Sequence, residues 1–390
     1  LKLKNLLIRN IRNIREVSIS CGTGIHFIHG LNGQGKTSIL ESIYLLSNLR
    51  SFRDPDASSL VRHGEEGSLV RGDFEIEPGT RAELKVELVR GRARFEKRAY
   101  INQKLSRSAV DYFGLKLNRS PVQFHAINLN PASTDLIRGD PGVRRNYLNQ
   151  TVSSEDPGYL EVLKHYQKLL DQKNALLKQE ERLDEALLSI LNGNLVQSGA
   201  QIMLSRLEFL KKIHTTLQRF LADIAPRQAK VHPAYKSGET LYFTGHFELP
   251  TLQNLMENLH RKLDEKKPLE RLRKTSLVGP HRDDLLFKSG TSPEPECPDL
   301  VDTGSQGEIR STLLALKLAE LEEFERSTGV QPVLLIDDFS SELDGTRRSF
   351  LLKFLKDSKL QIFVTSTDDL SQSLESGGTL IRMDQGRIFA

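Results

Sequence analysis

The sequence predicts an α/β fold: a phosphate-loop head with a β-rich N-terminal addition, interrupted by an inserted α-helical arm lobe. Three observations carry that expectation. The apolar run Ile25-His26-Phe27-Ile28 leads into the glycine-rich turn Gly30–Thr37, and residues 39–46 follow with helical spacing. A second apolar run, Val333–Ile336, ends in an acidic pair about 300 residues further on. Between the two lie leucine-bearing segments whose apolar positions repeat at helical intervals through charged sequence.

In chain order, Leu1–Ile8 alternates as a strand and Ile14–Ile19 follows it. From Ser68 to Tyr100 the pattern is again that of strands, with Ala82–Val89 and Arg94–Tyr100 joined across Gly91 as a hairpin. Pro121–Ile127 reads as a further strand. Asp140-Pro141 marks a helix start, Asp as N-cap and Pro at the first helical position. Leucines from Leu160 to Leu191 then trace one apolar face, Asn192-Gly193-Asn194 is expected to break it, and a second helix runs over 195–225 as the return limb of an antiparallel arm. A helix over Thr251–Lys274, a strand at Leu285-Leu286-Phe287 and a Pro/Ser/Glu-rich loop at Ser289–Pro298 lead to the last third. There Ser305–Arg326 and Gly345–Lys356 read as helices and Gln361–Val364 as a buried strand. These expectations divide the chain into a discontinuous head, 1–120 with 275–390, and a helical lobe, 121–274.

Composition narrows the class. Charged residues make up 27% and hydrophobic ones 38%, enough apolar material for a core and against disorder as the default. Apolar runs fall far short of the ~20 residues a membrane span needs, and the alternating Leu1-Lys2-Leu3-Lys4 start does not read as a signal peptide, so a cytoplasmic protein is expected. Cys21 and Cys297 are too far apart to suggest a disulfide framework or a zinc site. The overall charge of +4 conceals an asymmetry of +8 over 1–120, +4 over 121–274 and −8 over 275–390. A basic N-terminal third suits a polyanion, although such charge is also what an ordinary solvated face carries.

Gly30-Leu31-Asn32-Gly33-Gln34-Gly35-Lys36-Thr37 fits G-x-x-x-x-G-K-[ST]. The glycines let backbone N–H groups turn inward around phosphates, Lys36 supplies positive charge to the β- and γ-phosphates, and the Thr37 hydroxyl, followed by Ser38 in the helix, suits Mg²⁺. Asp337, at the end of Val333–Ile336, is placed to deliver a carboxylate to the same ion; Asp338 is the candidate for orienting or deprotonating water. Asp338 could equally cap the following turn. The wide spacing of the two elements is the layout of ATP-binding-cassette (ABC) ATPases of the SMC kind, whose chain ends complete one sheet. Ser305-Gln306-Gly307-Glu308 resembles the ABC signature that meets the γ-phosphate on a second protomer, and it is also a capping box needing no ligand. Ser341-Glu342-Leu343-Asp344 resembles the D-loop that crosses such a dimer.

Two further stretches are more specific: Gly139-Asp140-Pro141-Gly142-Val143-Arg144-Arg145-Asn146-Tyr147-Leu148-Asn149 and Gly279-Pro280-His281-Arg282-Asp283-Asp284. With them the chain resembles the RecF family over nearly its whole length. The resemblance implies an SMC-like ABC ATPase that dimerises on ATP, binds DNA at gaps or single-strand/double-strand junctions, and helps RecO and RecR load a recombinase. The family usually has an acid where Ala132 follows Pro131; Gln306 departs from the general ABC signature, though RecF proteins look similar here; Thr365-Ser366-Thr367-Asp368 has no switch histidine such as transporters carry, and Asp338 stands in place of the more usual Glu. The last two imply slow hydrolysis. For DNA, the basic hairpin (Arg81, Lys85, Arg90, Arg92, Arg94, Lys97, Arg98) is the first candidate, Arg144 and Arg145 the second, through sequence-independent phosphate contacts. An ABC transporter subunit and a structural DNA-bridging protein that rarely hydrolyses ATP are the alternatives.

Overall fold

The computed structural model describes residues 2–54, 56–77, 79–92, 94–114, 116–117, 120–121, 124–179, 184–228, 230–243, 248–338, 345–368 and 378–389. The chain divides into two compact units, Leu1–Ser133 with Glu320–Ala390, and Thr134–Ala319.

The first unit holds two six-stranded sheets. One is antiparallel, in the order Ile14–Ser20, Lys2–Ile11, Gly67–Glu77, Thr80–Arg90, Phe95–Ile101, Lys104–Leu105. Along Thr80–Arg90 the residues alternate, burying Ala82, Leu84, Val86 and Leu88 and turning charged neighbours outward, as a sheet with one wet face requires. The other sheet runs Ala126–Leu129, Val333–Ile336, Ile362–Ser366, Ile25–His29, Thr379–Asp384, Arg387–Phe389, and its first five strands are parallel. Val333–Ile336 and Ile362–Ser366 are buried at every residue, as strands covered on both faces are. The helix Lys36–Asn48 packs on strands of both sheets, so eleven of its residues are buried and it shows no clean polar stripe. Gln361 ties the sheets together: its amide accepts from Leu3 N (3.0 Å) and donates to Leu3 O and Gly22 O, both 2.8 Å.

A second tie within this unit is ionic. Arg12, in the turn between the first two strands, makes a two-pronged bond to Glu41 on the helix (3.0 and 2.8 Å), and Ser51 also donates to that carboxylate. Glu41 is wholly buried, so the guanidinium supplies the partner its charge requires.

The second unit is mostly helical: Pro141–Glu155, Pro157–Leu177, Glu185–Ile224 and Leu252–Arg273, beside a three-stranded sheet ordered Thr240–Phe243, Val231–Ser237, Asp284–Ser289. The expected break at Asn192-Gly193-Asn194 is not there. Those residues lie inside the 40-residue helix Glu185–Ile224, which starts at Asp184, whose side chain accepts from Leu187 N. One glycine costs a helix about 1 kcal/mol, and the buried apolar face of a helix this long outweighs it. The segment 275–319 packs in this unit, because Asp284–Ser289 pairs with Val231–Ser237; the head boundary read from sequence at 275 therefore lies nearer 320. Of the expected strand Pro121–Ile127, only its end belongs to the strand observed at Ala126–Leu129.

The two family-specific stretches meet in a buried polar network here. Arg206, 2% exposed, donates to Tyr235 Oη (2.9 Å), Pro280 O (3.0 Å), Tyr159 Oη (3.1 Å) and Asn149 Oδ1 (2.8 Å). Tyr235 in turn donates to Asp283 Oδ2 at 2.7 Å. Arg144 forks onto Asp284 (2.7 and 2.9 Å) and donates to Gly139 O, while Arg145 donates to Asp283 O. Burial raises the Asp283 carboxyl to about 6, against the pull of Tyr235 and Arg206. The folded chain thus holds that proton more tightly than the unfolded one, whose Asp titrates near 3.9. This contribution to stability is full below about pH 4 and is lost as pH rises through about 6. Asp283→Asn should remove it: urea midpoints measured from pH 4 to 7 should show the advantage of the unaltered protein over the variant shrinking between pH 4 and 6, and then levelling.

Candidate functional site

The strand Ile25–His29 ends at Gly30, and the chain turns through Gly33 (φ 79°) and Gly35 (φ 101°) into the helix at Lys36. These left-handed angles are open to glycine at little cost. Gly30 is required for a different reason, since a Cβ there would stand 2.4 Å from Met383 O. The helix N-terminus has Gly35 as its N-cap and no side chain capping it, an arrangement that suits an anion. Lys36, 8% exposed, folds its ammonium back onto Gly30 O (2.6 Å) and Leu31 O (2.9 Å). Burial lowers its pKa, opposed by Asp338 and Asp337. Leu31 stands 73% exposed at the loop's outer edge beside Asn32.

Asp337 reaches this loop from the other end of the chain. The strand Val333–Ile336 pairs in parallel with Ala126–Leu129 and with Ile362–Ser366, which sets Asp337 at the same sheet edge as Thr37. Thr37 Oγ1 donates to Asp337 Oδ1 at 3.0 Å, and Thr365 Oγ1 donates to the same oxygen at 2.7 Å. Burial raises the Asp337 carboxyl, and those two hydroxyls act against the rise. Asp338 adopts φ 53°, and its N–H is held by Thr365 Oγ1 at 2.8 Å. Thr365 is thus a site residue that sequence reading passed over; its signal was its place at the end of a buried strand, where only the neighbouring strand order reveals a partner. Asn13 was missed as well. Its Nδ2 donates to Gly33 O (3.0 Å), and Ser38 Oγ donates to its Oδ1 (3.3 Å).

The pair Thr37 and Asp337 fits Mg²⁺, since both present hard oxygen donors with the carboxylate already turned toward the hydroxyl. Among the described residues no cluster of three His, Cys, Asp or Glu could hold a metal on its own.

In the second unit, Ser305 and Glu308 form a capping box. Glu308 N donates to Ser305 Oγ (3.2 Å), and Ser305 N donates to Glu308 Oε2 (2.8 Å). Ser305 and Gln306 are exposed at that helix start, with Gly307 half-buried. Asp344, with all of Ser341–Asp344, lies outside the described residues.

The basic hairpin divides into two kinds of residue. Lys85 pairs with Glu87 (3.0 Å) and sits over the Tyr100 ring, Arg98 pairs with Glu96 (3.3 Å), and Lys97 turns to the Leu49 carbonyl. Arg90, Arg92 and Arg94 stand exposed around the turn closed by Gly91 N to Arg94 O, and Arg81 is exposed at the opposite end of its strand. Arg144 and Arg145 need correction as DNA candidates: Arg144 is 9% exposed and committed to Asp284, and Arg145 to the Asp283 carbonyl.

Comparison with known proteins bears on the family and the fold. A family model described as the RecF/RecN/SMC N terminal domain matches residues 2–387. A Geobacter sulfurreducens protein named DNA replication and repair protein RecF is 36% identical over 374 residues, 96% of this chain and 94% of its own. One of the same name from Ligilactobacillus salivarius is 32% identical over 99% of this chain and 97% of its own. A solved structure of the recombination mediator protein RecF with ATP, in the RecFOR pathway, superposes with a TM-score of 0.85 at 31% identity, covering 99% of this chain and 96% of that one. An Smc head domain from Pyrococcus furiosus shares the fold alone, with a TM-score of 0.55 at 14% identity, 99% of this chain and 94% of that one. The SMC-like ABC-type head expected from the sequence is therefore the fold observed.

The crowding at the loop's first glycine gives a direct check. Gly30→Ala should force a methyl against the Met383 carbonyl and cost about 2 kcal/mol, as overpacking does, read as a lowered urea midpoint without nucleotide. Gly22→Ala, where a Cβ meets nothing within 4 Å, serves as the control.

Proposed function

This chain belongs to the RecF family of DNA replication and repair proteins, and we propose that it is an ATP-binding, DNA-binding repair protein whose nucleotide closes a dimer of two copies. The observation that carries this is the Thr37–Asp337 hydrogen bond beside the uncapped helix end, which brings the phosphate loop and the acidic strand end into one site. In this reading the N–H groups of Gly30–Thr37 and the Lys36 ammonium take the triphosphate, and Thr37 with Asp337 holds Mg²⁺, which neutralises phosphate charge. Asp338 orients the attacking water. Being one methylene shorter than the usual Glu, it sits off the best position, and a shift of about 1 Å costs roughly 10²-fold. Turnover is therefore slow, and ATP acts as a timer on a clamp at gaps or strand junctions. Ser305–Glu308 of the second copy meets the γ-phosphate, a role its capped helix end can fill. RecO and RecR are the proposed partners, in keeping with the RecFOR pathway in which the ATP-bound relative is placed.

The exposed arginines at the hairpin turn are the proposed phosphate contacts, because Lys85 and Arg98 already have acidic partners. A transporter subunit is set aside by the family.

Sedimentation with and without Mg-ATP tests the dimer. The unaltered chain should shift to twice its mass and Lys36→Arg should not; a chain that stays monomeric with saturating Mg-ATP sinks the clamp. For DNA, replacing Arg90, Arg92 and Arg94 together by Ser should reduce the slope of log affinity against log salt on gapped duplex by about 2–3. An unchanged slope would move the contact elsewhere.

A further inference from the structure

We infer that Asn13 is a positioning residue for the phosphate loop, fixing the peptide planes that aim its N–H groups inward; this rests on the nucleotide reading of Gly30–Thr37. A loop with left-handed glycines at 33 and 35 is free to flip its peptides. Each flip would turn a carbonyl, instead of an N–H, toward a bound phosphate. In a trans peptide the C=O and the next N–H point in opposite directions, so holding the carbonyl outward holds the N–H inward.

Two turns from opposite ends of the chain do this. Asn13 Nδ2 holds Gly33 O at 3.0 Å, fixing the Gly33–Gln34 peptide and hence the Gln34 N–H. Gly386 N holds Gln34 O at 3.0 Å, fixing the next peptide and the Gly35 N–H. The Asn13 amide is itself oriented, since Ser38 Oγ donates to its Oδ1 and leaves Nδ2 for Gly33. Its backbone is held too, as its carbonyl accepts from Arg62 Nη1 (2.8 Å), and the adjacent Arg12 is locked to Glu41 on the loop's own helix. Asn13 Oδ1 also lies 2.9 Å from where a Cβ on Gly35 would stand, so the amide packs directly on the loop.

Asn13 is exposed, so its loss should leave the fold intact. Mg-ATP binding by calorimetry to the full chain tests the inference, with hydrogen exchange of the 30–38 segment measured without nucleotide. Asn13→Ala should weaken Mg-ATP about tenfold, as loss of one ordering hydrogen bond implies, and speed exchange in that segment alone. Asn13→Asp should be worse than Ala, because a carboxylate keeps the bond from Ser38 but repels the Gly33 carbonyl and the phosphates. Mg-ATP affinity unchanged in both variants would overturn the inference while leaving the site intact. So would an affinity loss accompanied by faster exchange throughout the chain. If the unaltered chain takes up no Mg-ATP, the site reading itself fails, and the positioning role with it.

Discussion

The hydrogen bond from Thr37 to Asp337 joins residues 300 positions apart, and most of the first unit follows from what it takes to make it. Strands from both ends of the chain must lie side by side in register, so Ile25–His29 is flanked by Ile362–Ser366 and Thr379–Asp384. Parallel neighbours need long crossovers, and one of these crossovers carries the whole second unit. The entropy of closing so long a loop grows only slowly with its length, so a large insertion is tolerated at this point. Ala126–Leu129 and Val333–Ile336, on either side of the insertion, are adjacent strands, so its two ends return to one place.

Charge is handled differently at the places where it matters. The Arg206–Tyr235–Asp283 network is buried and the Arg144–Asp284 fork largely so, and both are hydrogen-bonded within the second unit. On the outer face of the antiparallel sheet, opposite charges neutralise each other along the strands, with Lys4–Glu75, Lys85–Glu87 and Arg98–Glu96 as examples. Such pairs, half-buried or exposed, contribute little to stability. Positive charge stands out where the strands end. At the nucleotide site the same physics appears in smaller form: Lys36 and Asp337 are each shifted toward neutrality by burial, and each is held by neighbours that favour its charge.

Much of this was legible in the sequence. The phosphate loop, the acidic strand end, the hairpin and the capped helix at Ser305 all announce themselves through local spacing, because the chemistry of each is carried by contiguous residues. What sequence could not show is what depends on neighbours across the fold. Thr365 is an unremarked hydroxyl until the sheet order sets its strand beside Asp337. Arg144 reads as free cationic charge until Asp284, 140 positions away, is placed against it. The misplaced break at Asn192-Gly193-Asn194 has the same origin, since a weak local preference gives way to a long buried face.

The strand order has a consequence for how the protein is made. Ile25–His29 occupies an interior position between two strands that lie more than three hundred residues downstream. A ribosome adding about 5–20 residues per second would deliver those partners only after a delay on the order of tens of seconds. Through that interval the loop-bearing strand has neither lateral neighbour, and Asp337 has not yet been joined to the chain. The Thr37–Asp337 contact is therefore among the last features a nascent polypeptide acquires, since a chain stopped short of residue 337 lacks one of its two partners.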